Sequence, residues 1–394
     1  MAAKRPAGKG SSKSKAKGKK TGAKSKVTGA ATAKKLVKAA GREAKKGGKK
    51  GALRAGALIL AALLILGGGY IYDLQTFTFS DIFDGIYYAA NPPSVPVLST
   101  AVEGELIVHF VDVGQGDAVI LCLPDGKNMI VDGGPRKNRH QLFAAIEALS
   151  ITRFDYVLLT HSDEDHCGGL AYLLEDEKFE FGKIFLPDLP RGDIGTAIYS
   201  KFLDAVEKTG AETERSTKDS DIIGGDALYT LDFITPHAKV YEELRFNNAE
   251  SRNAISPIII VWFGGRKLML TGDANERYSE KWFLEAVADA APERVESGEF
   301  DVDVLKVAHH GSGSSTSEAF LRVANPEYAV ISYGEGNSYG HPHQSLLARL
   351  QQVALVPPSR IYGTAQHGTV TMRFADEDRD GKCDEPYFTT QKAA

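Results

Sequence analysis

From Glu103 onward the chain alternates short apolar runs of β character with stretches whose apolar positions recur at helical spacing. The pattern predicts strands over 105–112, 117–123, 128–131, 155–160, 228–234, 257–263, 266–271, 303–308, 328–333 and 369–374. It predicts helices over 138–149, 168–176, 195–208, 277–289, 317–324 and 344–353. About 270 residues in this arrangement suit one two-sheet α/β domain, over 104–374, and no internal repeat is visible. Upstream lies a different kind of run. Residues 55–72 are eighteen uncharged, mostly apolar positions ending at Asp73, close to the length of about 20 that spans a bilayer. They predict an uncleaved transmembrane helix. A cleaved secretory signal usually has a shorter apolar region and a small-residue cleavage site; no clear Ala-x-Ala follows here. A buried core helix would show a polar face, and none repeats.

Charge divides the chain at the same place. The net charge of −4 hides 19 basic residues against one acid in 1–54, and 28 against 50 in the remainder. The Lys/Gly/Ala/Ser tract 1–54 cannot bury a core and reads as a disordered tail. With the positive-inside tendency it stays cytoplasmic, where it can touch anionic lipid, and the acidic part lies outside the cell membrane. Residues 73–103, with Asn91-Pro-Pro-Ser-Val-Pro96, read as a linker. Three cysteines, Cys122, Cys167 and Cys383, make no disulfide framework, although a Cys122–Cys167 pair stays open on an oxidising face.

The candidate chemistry sits where strands end. Tyr156-Val-Leu-Leu-Thr160 runs into His161-Ser-Asp-Glu-Asp-His166, placing two imidazoles and two alternating carboxylates within six residues. Lys267-Leu-Met-Leu-Thr271 ends in Gly272-Asp273, Val304-Leu-Lys-Val-Ala308 in His309-His310-Gly311, and Tyr328–Tyr333 leads to Gly340-His-Pro-His343. A sheet protein can gather such residues into one rim. Imidazole with carboxylate suits Zn or Mn, and two ions about 3.5–4 Å apart need a bridging anion, for which Asp273 is the natural choice. The metal set read here is His161, Asp163, Asp165, His166, Asp273, His309 and His341. His161 and Asp163 serve the first ion, Asp165 and His166 the second. Adjacent residues on an extended segment point to opposite sides, so only one of His309 and His310 is expected to bind, and His309 is preferred. His343 is either a ligand or a helix-start residue. Asp165, His166 and Asp273 carry the catalysis: the ions would acidify a bridging water to hydroxide.

The ordered series Val111-Asp-Val-Gly-Gln-Gly-Asp117, Val131-Asp-Gly-Gly134, Thr160–His166 with Gly168-Gly169, Leu270-Thr-Gly-Asp273, His309-His-Gly-Ser312 and Tyr339-Gly-His-Pro-His343 resembles the metallo-β-lactamase superfamily. Within it, the series resembles the C-terminal hydrolase domain of the ComEC competence (DNA-uptake) proteins. The resemblance implies a four-layer αββα sandwich, a dinuclear edge site and hydrolysis of phosphodiesters, DNA included. It also implies that Asp132 is a structural carboxylate supporting the ligand loop. Asp163 stands where the wider superfamily has a second histidine, and a separate histidine expected before Asp273 has no clear counterpart. His237 lies in the right region, in loop-like surroundings.

Substrate is less legible. Gly311–Thr316 and Gly334–Ser338 offer hydroxyls and backbone N–H groups to phosphate oxygens, yet nucleic-acid affinity depends on Lys and Arg and this part is acidic. Short or single-stranded ends, or small phosphate esters, fit the charge better. Rival readings are a thioester or lactam hydrolase, or a non-enzymatic surface module using calcium. For the latter, the acidic tail 375–394 contains Asp376, Asp378 and Asp380 before Gly381, which match the start of a calcium loop, with Tyr387 where its last ligand would stand. No obligatory protein partner is evident.

Overall fold

Apolar side chains at alternate positions build two sheets in the computed structural model. The strands are β1 (Leu106–Phe110), β2 (Val119–Cys122), β3 (Asn128–Val131), β4 (Arg153–Leu158), β5 (Glu180–Leu186), β6 (Glu212–Arg215), β7 (Ile222–Ile223) and β8 (Tyr229–Phe233). They continue with β9 (Ile259–Phe263), β10 (Arg266–Leu270), β11 (Val304–Lys306), β12 (Tyr328–Ile331), β13 (Ile361–Gly363), β14 (Val370–Phe374) and β15 (Tyr387–Thr390). One sheet has the order β15-β14-β1-β2-β3-β4-β5-β6, the other β13-β12-β11-β10-β9-β8-β7. β3 to β6 run parallel, as do β10 to β13, and the other neighbours are antiparallel.

Both faces of each sheet are covered. Leu106, Val108 and Phe110 of β1 share one buried cluster with Ile259, Val261 and Phe263 of β9, whereas Ile107 turns to the opposite side. That opposite side packs on α1 (Arg139–Ala148), α2 (Glu164–Leu173) and α3 (Ala197–Thr209). The outer face of the second sheet, with Ile260, Met269, Leu305 and Ala329, packs on α5 (Ser279–Asp289), α6 (Glu318–Ala324) and α7 (Gln344–Gln352). A short helix, α4 (Ala249–Asn253), precedes β9. Period-two patterning with both faces apolar is what a doubly covered sheet requires. Each fully buried Leu, Ile or Phe contributes roughly 1.5–3 kcal/mol.

The chain divides into Met1–Pro92 and Pro93–Ala394. The structure describes residues 98–392 of the second unit except 101, 190–195, 226–227 and 378–379, and in the first only 35–36, 38–43, 45, 56, 59 and 88, all helical. Most of the expected membrane span 55–72, of the linker and of the basic tail therefore lies outside the described residues. No helix among the described residues is long and apolar enough to cross a membrane. One correction concerns the far end. The first sheet does not stop at 374: β15 pairs with β14 from Val370↔Thr390 to Arg373↔Tyr387. In the candidate calcium loop Asp378 is undescribed, and the Asp376 carboxylate accepts the amides of Asp380 and Gly381. Tyr387, at the last position of that loop, is in the strand. The three cysteines are buried and free, which closes the Cys122–Cys167 alternative.

Candidate metal centre

Strand ends supply the centre. Asp132 follows β3, His161 follows β4, Asp273 follows β10 and His309-His310 follow β11, all at the carboxyl ends of parallel strands, where open α/β sheets collect their ligands. Asp165 and His166 are in the first turn of α2. That turn is seated by backbone contacts: Gly133 N–H donates to the His166 carbonyl at 2.8 Å and Gly169 N–H to Gly134 at 2.8 Å. A Cβ on Gly169 would meet the Gly133 oxygen at 1.9 Å, so only glycine permits this approach.

Asp273 organises the metal site. Its Oδ1 lies 3.3 Å from His166 Nε2 and 3.6 Å from His310 Nε2. Its Oδ2 lies 3.6 Å from His309 Nε2 and 3.8 Å from His161 Nε2. The Asp165 carboxylate joins the first side, 3.4 Å from His310 Nε2. One carboxylate thus faces two separate sets of imidazoles, the geometry of a bridging ligand. Nε2 of His161, His166 and His310, together with Asp273 Oδ1, are buried without a hydrogen-bond partner. Buried polar atoms are rarely left so, and two divalent cations would satisfy all four. Ligand atoms of His161, His166 and Asp273, and of Asp165, His166 and His310, fall within 4.8 Å of one another.

The other ring nitrogens are held. His166 Nδ1 contacts Asp132 Oδ2 at 2.7 Å, and the same carboxylate accepts the Thr160 amide and hydroxyl at 2.8 Å each. His161 Nδ1 has Thr160 Oγ1 at 3.1 Å and Ser256 Oγ at 3.3 Å. His310 Nδ1 meets the Ser332 carbonyl at 3.0 Å and Asp117 Oδ1 at 3.2 Å. Asp117 is paired on its other oxygen with the buried Lys306 Nζ at 2.6 Å. Such partners fix the tautomer and aim of a ligating imidazole.

Electrostatics follow. Burial disfavours charge on His310, but Asp273 and Asp117 outweigh it and lift the ring to about 10. His166 is likewise raised by Asp273 and Asp132 against burial, while burial and the neighbouring His166 lower His161. Burial pushes Asp273 up, yet His166, His310 and His309 hold it well below the carboxylate range. A raised histidine stabilises the fold fully below its ordinary value near 6.5, and that contribution disappears as pH rises through about 10. The chelator-treated chain should therefore melt at progressively lower temperature from pH 6.5 to 10. A flat profile in thermal denaturation would refute this reading of His310.

Of the sequence-derived ligands, His161, Asp165, His166 and Asp273 converge. Three assignments change. His310 joins the centre together with His309, because both adopt left-handed φ (54° and 50°) rather than an extended strand; the opposite-sides argument fails there. Asp163 is taken by Arg252, whose Nε donates to its Oδ1 and whose Nη2 lies 3.4 Å from Oδ2. His341 stands at the mouth, its ring 5.7 Å from His309 and 6.3 Å from His310; like His309 it is outside the ligand-atom groups of the described residues, and unlike His309 it has no contact with the Asp273 carboxylate among them. Burial first and the neighbouring imidazoles next pull it down to about 4. His343 is the residue before α7, its Nδ1 accepting from Gly313 N–H at 2.7 Å, and His237 packs on Trp282.

The serine-rich loop is corrected too. Every backbone N–H from Ser312 to Ser317 already donates within the chain, to His309, His343, Ser312 or Glu280. It offers no backbone cradle for phosphate. The residues that sequence reading missed are Asp117 as the partner of His310, Lys306 as the partner of Asp117, and Asn253. The Asn253 Nδ2 lies 3.4 Å from both Asp273 Oδ2 and His309 Nε2. A cleft of about 520 Å³ adjoins it, lined by Glu250, Asn253, Glu276, Arg277, His309 and Ser314 among others.

Residues 111–181 match the metallo-β-lactamase superfamily. The chain is 30% identical over 316 residues to ComE operon protein 3 of Bacillus subtilis, covering 75% of this chain and 36% of that protein. It is 26% identical over 265 residues to competence protein ComA of Neisseria gonorrhoeae, covering 67% and 31%. The chain thus spans about a third of the length of the curated relatives it matches. Among solved structures, the metallo-β-lactamase fold protein YhfI of Bacillus subtilis aligns with a TM-score of 0.41 at 13% identity, over 72% of this chain and 100% of that one.

Proposed function

Because the chain carries a metallo-β-lactamase superfamily domain resembling ComEC-type competence proteins, we propose that it is a two-metal phosphodiesterase or nuclease. On this reading the basic tail is cytoplasmic, residues 55–72 anchor it in the cell membrane, and the catalytic unit acts outside. The observation that carries the catalytic reading is the convergence of unpartnered Nε2 atoms on the two oxygens of Asp273, those of His166 and His310 on Oδ1 and that of His161 on Oδ2.

His166, His310, Asp165 and Asp273 would hold one cation, and His161, His309 and Asp273 the other. Bound there, Zn or Mn supplies Lewis acidity toward a phosphoryl oxygen and acidifies coordinated water. Asp132 and Asp117 keep the imidazoles aimed. His341, neutral at physiological pH, is placed at the mouth to give or take a hydrogen bond with the substrate. The neighbouring cleft carries Glu250 and Glu276 against one Arg277, so its charge disfavours an extended polyanion. Strand ends or small diesters fit better than a duplex.

The test is a comparison of rates of the purified full chain on bis(p-nitrophenyl) phosphate, nitrocefin and an acyl thioester. Hydrolysis of the diester supports the proposal; activity confined to the other two assigns a lactam or thioester hydrolase instead. Asp165→Ala with His166→Ala removes two ligands of one ion, and diester hydrolysis should fall by at least about 10³-fold, roughly 4 kcal/mol of barrier. Retention of turnover in that double variant would refute the mechanism.

A further inference from the structure

We propose that the two cation positions at Asp273 are unequal: the Oδ1 position binds tightly, and the Oδ2 position is a weak, exchangeable site completed by the neutral Asn253 amide. This inference rests on the metal reading above. It begins from the donors themselves. The Oδ1 side brings Asp165, His166 and His310 to the shared carboxylate, with the two imidazoles wholly buried. The Oδ2 side brings His161 and His309, and the His309 side chain is 29% exposed.

The carboxylate that sequence assigned to the same ion as His161, Asp163, is turned to Arg252 in an ion pair. Its negative charge is therefore already matched by a guanidinium rather than offered to a cation. What stands beside Asp273 Oδ2 and His309 Nε2 in its place is Asn253, at 3.4 Å from each. Asn253 is only 3% exposed, and its Oδ1 has no hydrogen-bond partner. A buried amide oxygen without a donor is costly. Rotation of the amide would exchange Oδ1 for Nδ2 among the same neighbours, turning the oxygen that now lacks a partner toward the cation position.

An amide carbonyl is an uncharged ligand, better suited to hard cations than to zinc. The Oδ2 position thus has one private acid fewer than its neighbour. It also borders the 520 Å³ cleft, which Asn253 and His309 line, so an ion there has a route to solvent. Arg252 and Asn253 are consecutive in α4, so one short helix both withholds Asp163 and supplies the substitute.

Titration of the chelator-stripped full chain with Zn²⁺, followed by calorimetry, should resolve two steps. One equivalent binds tightly, and the second binds weaker by roughly 10–100-fold, the range over which changes around a ligand set move metal affinity. Elemental analysis after gel filtration should find about one retained equivalent. Asn253→His should tighten the second step by about tenfold or more and leave the first unchanged. Arg252→Met, which frees Asp163 without altering Asn253, should move the second step in the same direction and covers the case in which the first variant does not fold. Two equal steps in the wild type, or a second step that neither substitution moves, would overturn the inference while leaving the dinuclear reading intact. No bound Zn²⁺ at all would sink both.

Discussion

Asp273→Asn should leave a folded chain that hydrolyses bis(p-nitrophenyl) phosphate at least about 10³-fold more slowly, a loss of roughly 4 kcal/mol or more. Four imidazole nitrogens lie within 3.8 Å of this carboxylate, and the substitution keeps its shape while removing its charge. Both cation positions lose their shared anion, so the effect exceeds that of any ligand serving one position. Retained metal should drop below one equivalent in elemental analysis. The histidines respond as well: Asp273 is the largest influence raising His166 and His310 against burial, so the variant should carry them neutral at lower pH. Circular dichroism establishes that the fold persists. Activity within about tenfold of wild type would mean that Asp273 bridges nothing.

Why Asp273 was readable from sequence and Asn253 was not is a matter of range. An apolar run that stops at an Asp or His announces a strand end with a ligand, and the runs before His161, Asp273 and His309 did so. β1 to β4, β8 to β12 and β14 were expected within two residues at each end, because buried apolar positions run through each of them. β5, β6, β7, β13 and β15 were not expected. Glu180–Leu186 carries two charges and a glycine, and Glu212–Arg215 is nearly all polar; each is held by pairing with a distant neighbour rather than by its own pattern. The same limit governs the site. Asp163 looked like a ligand because nothing local shows that Arg252, 89 residues away, will claim it. His310 was discounted on the assumption of extended backbone, although the glycine that follows it marked a turn. The polar Ser251-Arg-Asn253 just ahead of the apolar run into β9 has the same strand-edge placement, inverted, and offered the only sequence cue to Asn253.

Lys306 is the residue whose loss should cost the fold most. It lies inside the apolar run of β11, where its neighbours Val304, Leu305 and Val307 are all buried, and its own side chain is 2% exposed. Its ammonium meets Asp117 at 2.6 Å, also 2% exposed, and donates to the Val307 carbonyl at 3.0 Å. Burial alone would raise the Asp117 carboxyl; Lys306 first and His310 next hold it low instead. Lys306→Met removes the main counter-charge and leaves an acid in the interior with only the imidazoles of His310 and His166 near it. Breaking a buried pair from one side costs about 3–5 kcal/mol, which in a unit of this size lowers the melting temperature by on the order of 10 °C. The strain is transmitted to the metal centre, because the abandoned carboxylate is the one that aims His310. The double variant Lys306→Met with Asp117→Asn removes both charges, and since neutral replacement of a buried pair is often tolerated, it should recover at least about half of the lost stability. A double variant no more stable than Lys306→Met alone would show that the lysine acts through its packing and not through Asp117, and the link from β11 to His310 would fail with it.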